Sequence, residues 1–478
     1  MGRTSRVERL DPAVLKLAGI LVLGAMAPLL DGTIVNVALH TLGRELKAPV
    51  STVQWVTTGY LLAVAMAIPI TGWAAERFGA KRIWLFSLVI FLAGSMLCGV
   101  AWNVGSLIVF RVVQGTGGGL MLPVLQTLLL RASGGRNIGR LMAVVTLPAL
   151  LGPILGPVIG GLIVGHLSWR WIFFVNVPLC VLAILLAYRG LPADSPQDGD
   201  RLDWAGLLLL SPGLAALIYG LAEVGDQGAF DHAEVVVPLM AGTLLLAGFV
   251  LHALRIAHPL IELRLLGERS FAASSALLFL SGLALYGSML LLPLYYQQLR
   301  GQSVIAAGLL MAPQGLGSLL ARGAGGLADR IGPRPVILAG VTLTALGTVP
   351  FALAGRHAGG LVLAAALVAR GAGLSAVNMA VMVGAFNRLA PEQIPHASSM
   401  TRIMQQVGGS FGAAVLAVVL QRQLTDHPGV AGQATAFGHT FAWSVAFTLL
   451  AVVPALLLPK VRCRRGEQTK PTTQTTNP

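Results

Sequence analysis

One carboxylate lies deep within the first apolar stretch of this sequence. Asp31 belongs to the segment "APLLDGTIVNVAL", and the apolar run from about 14 to 39 holds no other acidic residue. A charge inside a lipid bilayer costs about 3 kcal/mol on insertion scales. Burial favours the neutral acid, whereas a nearby cation favours the carboxylate. We therefore predict that Asp31 binds a proton from one side of a membrane and releases it to the other. The alternative is a structural partner for a buried polar group.

Arg111 lies within a later apolar segment and is the natural counter-charge for Asp31. Its guanidinium stays charged at any working pH, so we predict that it pairs with Asp31 or tunes its proton affinity. The alternative is a clamp that holds two helices together through backbone carbonyls. Arg370 occupies the matching segment of the second half of the chain, and there the structural and functional roles are equally open.

The elements that must position these charges are membrane-spanning helices. Of the 478 residues, 55% are hydrophobic and 11% are charged, and the mean hydropathy is +0.77. A soluble domain usually carries about 25% charged residues, and about 20 apolar residues are enough for a helix to cross a bilayer. We predict an all-α polytopic membrane protein with fourteen transmembrane helices, at about 14–39, 50–73, 83–101, 104–130, 138–165, 171–189, 203–223, 234–254, 271–298, 303–324, 335–354, 359–383, 398–420 and 437–459.

The distribution of Lys and Arg predicts which ends of these helices face the cytoplasm. With both termini inside, about three quarters of the 33 Lys and Arg residues fall on the inner side, Arg402 among them. Positively charged loops remain in the cytoplasm. We therefore predict a multi-pass protein of the cytoplasmic membrane with both termini cytoplasmic. Membrane topology, rather than binding to nucleic acid, explains the net charge of +14.

Two pairs of similar segments indicate a duplicated chain. "GWAAERFGAKRIWL" (72–85) matches "GGLADRIGPRPVIL" (325–338), and "QGTG" (114–117) matches "RGAG" (370–373), at nearly equal offsets. Many secondary transporters consist of such repeats, with the substrate site between them near the midplane. The predicted regions are a cytoplasmic N-terminal tail (1–13), a six-helix bundle (14–190), a linker (191–202), two inserted helices (203–255), a second linker (256–270), a second six-helix bundle (271–459) and a disordered tail (460–478).

The sequence gives no indication of a nucleotide, metal or cofactor site. No Gly-x-x-x-x-Gly-Lys-Ser/Thr segment occurs, so a phosphate-binding loop is not expected. Energy should therefore come from an ion gradient, or transport is passive. The nine histidines and three cysteines are scattered, which argues against a membrane-embedded enzyme. A deep carboxylate also disfavours a receptor or scaffold that transports nothing.

Five motifs resemble those of the major facilitator superfamily. The loop residues Gly72, Glu76, Arg77, Gly79 and Lys81 resemble its signature, "RVVQGTGGG" (111–119) its fourth-helix motif, and "GPILGPVIGG" (152–161) the fifth-helix motif associated with antiporters. "LDGTIVNVAL" (30–39) and "WRWIFFVNVP" (169–178) resemble the 14-helix drug:proton antiporter family, which includes bacterial multidrug and quaternary-ammonium exporters. The resemblance implies the major facilitator fold, with two extra helices between two six-helix bundles, and a role for Arg111 in proton transfer.

Two of these motifs suggest conformational elements. The loop residues named above, with Asp329 and Arg330 in the repeat, are expected to form a cytoplasmic latch in which Glu76 and Asp329 meet a helix N-terminus or an Arg of the adjoining bundle. The alternative is a plain topology signal. Gly152, Gly156, Gly160 and Gly161 would permit close helix approach, and Pro157 a bend. They are expected to form a pivoting contact between the halves, or else ordinary helix packing.

The substrate pocket is predicted from aromatic and polar residues within the helices. The candidates are Trp55, Tyr60, Gln126, Tyr295, Tyr296, Gln314, Asn378 and Gln405. A largely apolar cavity with few polar groups suits lipophilic ligands, and the deep acid suggests a cationic amphiphile. The predicted function is proton-coupled export of lipophilic or cationic drugs or antibiotics by a chain compatible with a monomer. The alternatives are export of a lipid or another hydrophobic metabolite, and solute import by symport, which the antiporter-like motif disfavours.

Overall fold

The computed structural model describes residues 11–134, 138–192, 201–227, 231–353, 355, 359–387, 389–427 and 429–458. The predicted tail 460–478 and most of both the N-terminal tail and the first linker lie outside these residues. All regular structure within the described ranges is helical. The α-helices are α1 (Pro12–Glu45), α2 (Val50–Ala67), α3 (Thr71–Phe78), α4 (Ala80–Gly99), α5 (Val104–Ser133), α6 (Ile138–His166), α7 (Trp171–Phe174), α8 (Asn176–Gly190), α9 (Trp204–Gln227), α10 (Ala233–Arg255), α11 (Arg269–Leu294), α12 (Val304–Leu310), α13 (Ala312–Leu320), α14 (Ala324–Ile331), α15 (Pro333–Leu353), α16 (Gly360–Phe386), α17 (Ile394–Asp426), α18 (Gly429–Leu450) and α19 (Val452–Leu457).

Eleven helical segments of the described chain are long and apolar enough to cross a membrane. A twelfth is formed if α2 and α3, which meet at a bend of 55°, are one span. The other two predicted spans coincide with α6, where many side chains lie outside the described set, and with α12 and α13, which are separated at Met311. The prediction of an all-helical polytopic fold is confirmed, whereas the count of fourteen stays a prediction.

The repeated loop motif folds in the same way in both halves of the chain. Gly79 separates α3 from α4 and Gly332 separates α14 from α15, and both glycines have φ of +90°. A residue with a Cβ is strained in this conformation, whereas glycine adopts it readily. The sequence repeat is therefore also a repeat of local structure.

The first group of helices is α1–α8 and the second is α11–α19. The two groups meet along a limited set of contacts. From the first group, α6 packs against α12, α13, α14 and α16, and α17 of the second group packs against α3 and α5. The inserted helices α9 and α10 pack against each other, and α9 also contacts α2 and α17. Ser211 of α9 donates a hydrogen bond to the Met66 carbonyl at 2.9 Å. The inserted pair is thus attached to both groups.

Candidate functional site

A buried polar cluster surrounds Asp31 in the middle of the first helix group. Asp31 and Arg111 are both fully buried, and Arg111 Nη1 forms an ion pair with Asp31 Oδ2. Gln114 Nε2 donates to Asp31 Oδ1 at 2.9 Å, and Asn176 Nδ2 donates to the same oxygen at 3.1 Å. Both amides also donate to Ser95 Oγ at 3.0 Å. The carboxylate of α1 is therefore held by side chains of α5 and α8 at once.

Arg111 of α5 also forms hydrogen bonds to α2 and within α5, in addition to its ion pair with the Asp31 carboxylate. Its Nε donates to the Val56 carbonyl of α2 at 3.1 Å, and its Nη1 donates to Gln114 Oε1 at 2.8 Å. The Tyr60 ring covers the guanidinium, with the ring centroid 4.0 Å from Cζ. Arg111 therefore combines both roles that the sequence left open, because it pairs with Asp31 and also clamps α5 to α2.

Glycines of the "RVVQGTGGG" motif bring α5 close enough to its neighbours for these contacts. A Cβ built on Gly115 would lie 2.5 Å from the Tyr60 carbonyl oxygen of α2, and one on Gly119 would lie 2.5 Å from that of Val64. Neither site can hold a larger side chain without moving α2. The motif thus sets the helix spacing that lets Arg111 reach both α1 and α2.

Arg370 occupies the matching helix of the second group, where the repeat aligns it with Gln114, and it has no acidic partner among the described residues. It is buried in α16, its Nε donates to Thr348 Oγ1 at 3.1 Å, and its Nη2 donates to the Ala284 carbonyl at 3.1 Å. No carboxylate of the described residues forms an ion pair with it. These contacts favour the structural role, a clamp between α16, α15 and α11.

A cavity of about 250 Å³ lies between the two helix groups. Residues of α1, α2, α5 and α6 line one side, and residues of α11, α16 and α17, with Met311 and Gln314, line the other. Much of the lining is apolar, including four methionines at positions 142, 289, 311 and 382. The polar lining consists of Thr33, Tyr60, Gln126, Tyr286, Ser288, Gln314, Asn378, Arg402, Gln405 and Gln406.

Five of the predicted pocket residues line this cavity, namely Tyr60, Gln126, Gln314, Asn378 and Gln405. The remaining candidates lie elsewhere. Trp55 stacks on Tyr219 of the inserted helix α9, with ring centroids 5.4 Å apart. Tyr295 and Tyr296 are buried in an aromatic cluster with Phe351. Aromatic residue type alone does not distinguish a ligand surface from helix packing, which explains the misplacement.

Two features of the cavity differ from the expectation. Asp31 is fully buried and already paired with Arg111, so the cavity wall presents no carboxylate among its described residues. The deep acid therefore gives no argument for a cationic substrate. Arg402, assigned from the sequence to the inner surface, lines the cavity instead. The predicted span 398–420 contains Arg402, and this was the available signal.

The expected latch residues make different kinds of contact. Glu76 Oε2 lies 3.4 Å from Nε2 of His396, in the first turn of α17, so it meets a helix N-terminus of the other group. A Cβ on Gly72 would lie 3.4 Å from the Pro395 carbonyl of the same turn. The Lys81 ammonium instead donates to the Leu191 carbonyl at 2.6 Å, within its own group.

The other latch candidates are exposed at the same end of the molecule. Arg77 lies in the last turn of α3, and Asp329 and Arg330 lie near the end of α14, which packs against α6. Gly79 makes the turn described above. The contact between Glu76 and His396 thus joins the two groups through side chains.

The glycines of the fifth-helix motif face α1 immediately after Asp31. A Cβ on Gly160 would lie 3.1 Å from the Ile34 carbonyl oxygen, and one on Gly156 would overlap the Thr33 side chain. Gly161 is half-buried, and Gly152 and Pro157 lie outside the residues whose side chains the structure describes. The close contact made by Gly156 and Gly160 is therefore within the first group, between α6 and α1, rather than across the halves as expected.

A buried ion pair lies beside a cavity between two groups of helices that share a repeated loop motif. Internal repeats with a binding site between them are common in transporters. The model of the Major Facilitator Superfamily matches residues 21–413. The chain belongs to this superfamily, and the family and fold point to a transporter rather than an enzyme.

Curated relatives and solved structures agree with this assignment. The Multidrug resistance protein B homolog of Mycobacterium tuberculosis is 42% identical over 427 residues, which cover 88% of this chain and 79% of that protein. The Lincomycin resistance protein LmrB of Bacillus subtilis is 26% identical over 458 residues, covering 92% and 95%. A crystal structure of a double Trp mutant of XylE superimposes with a TM-score of 0.66 at 13% identity, covering 94% of this chain and 97% of that one. The last comparison concerns the fold alone.

Proposed function

We propose that this protein is a proton-coupled antiporter that exports lipophilic small molecules, drugs or antibiotics among them, across the cytoplasmic membrane. The observation that carries the proposal is the buried pair of Asp31 and Arg111, with Asp31 less than one turn of α1 from the cavity-lining residues Pro28 and Gly32. The names of the multidrug and lincomycin resistance proteins support drugs as the substrate class. A monomer is sufficient, because one chain supplies both the ion pair and the cavity.

Protonation of Asp31 would loosen α1 from its neighbours. The neutral acid loses its charge attraction to Arg111, while Arg111 keeps its bonds to Val56 and Gln114 and its contact with the Tyr60 ring. The cation therefore remains satisfied by α2 and α5 after the acid is neutralised. The carboxyl group and the helix that carries it are the parts free to move.

Movement of α1 would reach the second helix group through α6. Thr33 and Ile34, which follow Asp31 closely in α1, pack against Gly156 and Gly160 of α6. The same helix contacts α13, α14 and α16 of the second group. Closely packed helices shift together more readily than they deform. A change at Asp31 is thereby coupled to the relative position of the two groups, which opens the cavity to one side at a time.

The contact of Glu76 with His396 serves as the cytoplasmic latch in this proposal. The two side chains join α3 to the first turn of α17, at the end predicted to face the cytoplasm. Both are partly solvated, with 21% and 17% of their side-chain surfaces exposed, so the contact is weak. A weak contact suits a latch, because a modest free energy then shifts the population between conformations.

The proposal is tested with the full-length protein in sealed proteoliposomes. An imposed pH gradient should drive at least one member of a probe panel uphill: ethidium, 2-naphthoate or neutral 2-naphthamide. Asp31→Asn should lower uphill transport at least tenfold, because an amide cannot carry the proton, while exchange between labelled and unlabelled probe continues. Asp426→Asn, at the exposed end of α17, is the control and should behave as wild type. Undiminished uphill transport by Asp31→Asn would exclude the proposed coupling.

A further inference from the structure

The charge of the cavity wall is positive. Among the described residues that line the cavity, Arg402 is the charged side chain, and no Asp or Glu accompanies it. Asp31 directly precedes the wall residue Gly32 in the sequence, but it is fully buried and its charge is neutralised by Arg111. A ligand in the cavity therefore meets one cation that has no counter-ion on the wall.

Arg402 lies well inside α17 rather than at the helix end. It is eight residues after Ile394, where α17 begins, which corresponds to about 12 Å along the helix axis. A charged residue at such depth is expensive unless it has a partner, and it marks a substrate or ion pathway by default. Within the described part of the chain, no carboxylate forms an ion pair with Arg402.

The described residues use little of the hydrogen-bonding capacity of Arg402. Its Nη1 donates to Gln405 Oε1 at 3.0 Å, and Gln405 Nε2 in turn donates to Asn378 Oδ1 at 3.1 Å. Asn378 Nδ2 donates to the Leu374 carbonyl at 2.9 Å. This chain of bonds fixes the side chain of Arg402 against the wall. A guanidinium has five N–H donors, so most of them are left for a ligand.

We propose that Arg402 determines specificity for lipophilic anions, such as weakly acidic aromatic compounds whose carboxylate, sulfonate or phenolate pairs with the guanidinium. The inference rests on the proposed function, because it takes the cavity as the substrate site. Paired N–H donors of a guanidinium match a carboxylate in geometry and charge. The methionine-rich remainder of the lining accommodates varied apolar groups, since the Met side chain is flexible and polarizable.

Export of an anion also changes the electrical balance of transport. If one proton enters for each monoanion that leaves, two elementary charges move in the direction favoured by an inside-negative potential. Exchange of one proton for one monocation would move no net charge. Anion export should therefore be accelerated by an imposed membrane potential without a pH gradient. This response can be measured with the wild-type protein alone.

The test measures binding of two matched probes to the full-length protein in lipid nanodiscs, with empty nanodiscs subtracted. The probes are 2-naphthoate and 2-naphthyltrimethylammonium, which share a ring system and differ in charge. Wild type should bind the anion at least tenfold more tightly than the cation, as expected for a charge-assisted hydrogen bond. Equal binding, or tighter binding of the cation, would overturn the inference.

Variants of two arginines on the same helix locate the effect. Arg402→Gln should weaken binding of 2-naphthoate about tenfold and remove the preference, whereas Arg402→Lys should keep much of it. Arg422→Gln, which alters an exposed arginine near the far end of α17, should bind as wild type does. A folded Arg402→Gln that retains the full anion preference would contradict the proposal. If that variant does not fold, wild-type binding of 2-naphthoate against neutral 2-naphthamide decides, and equal affinities reject it.

The two proposals fail in distinguishable ways. Uphill transport by Asp31→Asn tests the proton coupling, whereas binding of the two probes by wild type and Arg402→Gln tests the anion site. Anion-selective binding together with uphill transport by Asp31→Asn would reject proton coupling through that residue and leave the assignment of Arg402 intact. Proton-driven transport with no preference for the anion in binding would reject the assignment of Arg402 and leave proton coupling through Asp31 intact.

Discussion

The ring of Tyr60 lies over the guanidinium of Arg111, with the ring centroid 4.0 Å from Cζ. Tyr60 also lines the cavity, although only 4% of its surface is exposed. One face of this side chain is thus available to a substrate while the ring contacts the residue that pairs with Asp31. A cation–π contact of a desolvated arginine contributes about 2 kcal/mol. Tyr60 is therefore the direct physical connection between the substrate space and the ion pair.

Substitution of Tyr60 should separate substrate binding from proton movement. Tyr60→Phe keeps the ring and should transport at close to the wild-type rate, whereas Tyr60→Leu loses the contact with Arg111. We expect Tyr60→Leu to lower the number of protons moved per substrate at least about threefold, because the loss of this contact weakens the connection between the cavity and the ion pair. Simultaneous recording of substrate flux and internal pH in proteoliposomes measures this ratio. A ratio in Tyr60→Leu equal to that of Tyr60→Phe would show that the ring contact is not part of the coupling.

Asp203 should stabilise the inserted helices. Its carboxylate accepts hydrogen bonds from the Gly206 amide at 2.8 Å and the Leu260 amide at 3.2 Å, and it lies 2.8 Å from His252 Nε2. It thereby joins α9, α10 and the following linker. Asp203→Ala should reduce the free energy of unfolding by about 1–3 kcal/mol, since buried donors lose their partner.

An acid at the other end of the α9–α10 pair supplies the control for that measurement. The Asp203 side chain is 7% exposed and that of Asp231 is 84% exposed. Asp231→Ala should therefore change stability by less than about 0.5 kcal/mol. Thermal unfolding followed by intrinsic fluorescence compares both variants with wild type. Equal midpoints for the two variants would mean that the hydrogen bonds of Asp203 contribute nothing measurable.

A double-mutant cycle should reveal the contact between Glu76 and His396. Glu76→Gln and His396→Gln should each weaken closure at this end of the molecule, and the double variant should be little worse than either one. We expect a coupling energy of about 0.5–1 kcal/mol, because the pair is partly solvated. The measurement is the midpoint of thermal unfolding in all four proteins.

Lys81 offers a matched control for this cycle. It belongs to the same sequence motif as Glu76, but its ammonium donates to the carbonyls of Tyr188 and Leu191 within the first helix group. The effects of Lys81→Gln and His396→Gln should therefore add without coupling. Coupling as large as that of Glu76 with His396 would argue for a general destabilisation of the motif rather than a specific contact.

The sequence predicted the ion pair because a charge in an apolar helix needs a partner, and few candidates exist. Asp31 and Arg111 are such a pair, and the helical character of the chain follows from its hydropathy. Gln114 and Asn176 were not singled out, although both lie in motifs that the sequence analysis quoted. An amide is uncharged, so its burial has little signature in hydropathy. Its role becomes visible only when α5 and α8 are placed beside α1.

Other features depended on the rotation of helices about their axes, which sequence patterns describe poorly in a membrane. Arg402 and Arg422 are both arginines of α17, yet one lines the cavity and the other is exposed. Arg111 and Arg370 occupy matching helices, yet only Arg111 meets a carboxylate among the described residues. In a lipid-exposed helix both faces are apolar, so periodicity does not identify the inner face as it does in a soluble protein.

The close approach of α5 to α4 should make Gly117 intolerant of a side chain. A Cβ at this position would lie 2.7 Å from the Phe91 amide nitrogen and 2.8 Å from the Ser87 carbonyl oxygen. Backbone atoms cannot rotate away, so α4 and α5 must separate, and overpacking of this kind costs about 1–3 kcal/mol. Gly165→Ala near the end of α6, where nothing lies within 4 Å of an added Cβ, should leave stability unchanged or slightly improved. We expect Gly117→Ala to unfold at a lower temperature than Gly165→Ala and to transport more slowly. The slower transport follows because separation of α4 and α5 would displace Gln114 from Ser95 of α4. A Gly117→Ala protein with the wild-type unfolding temperature would show that the two helices are not held at this distance.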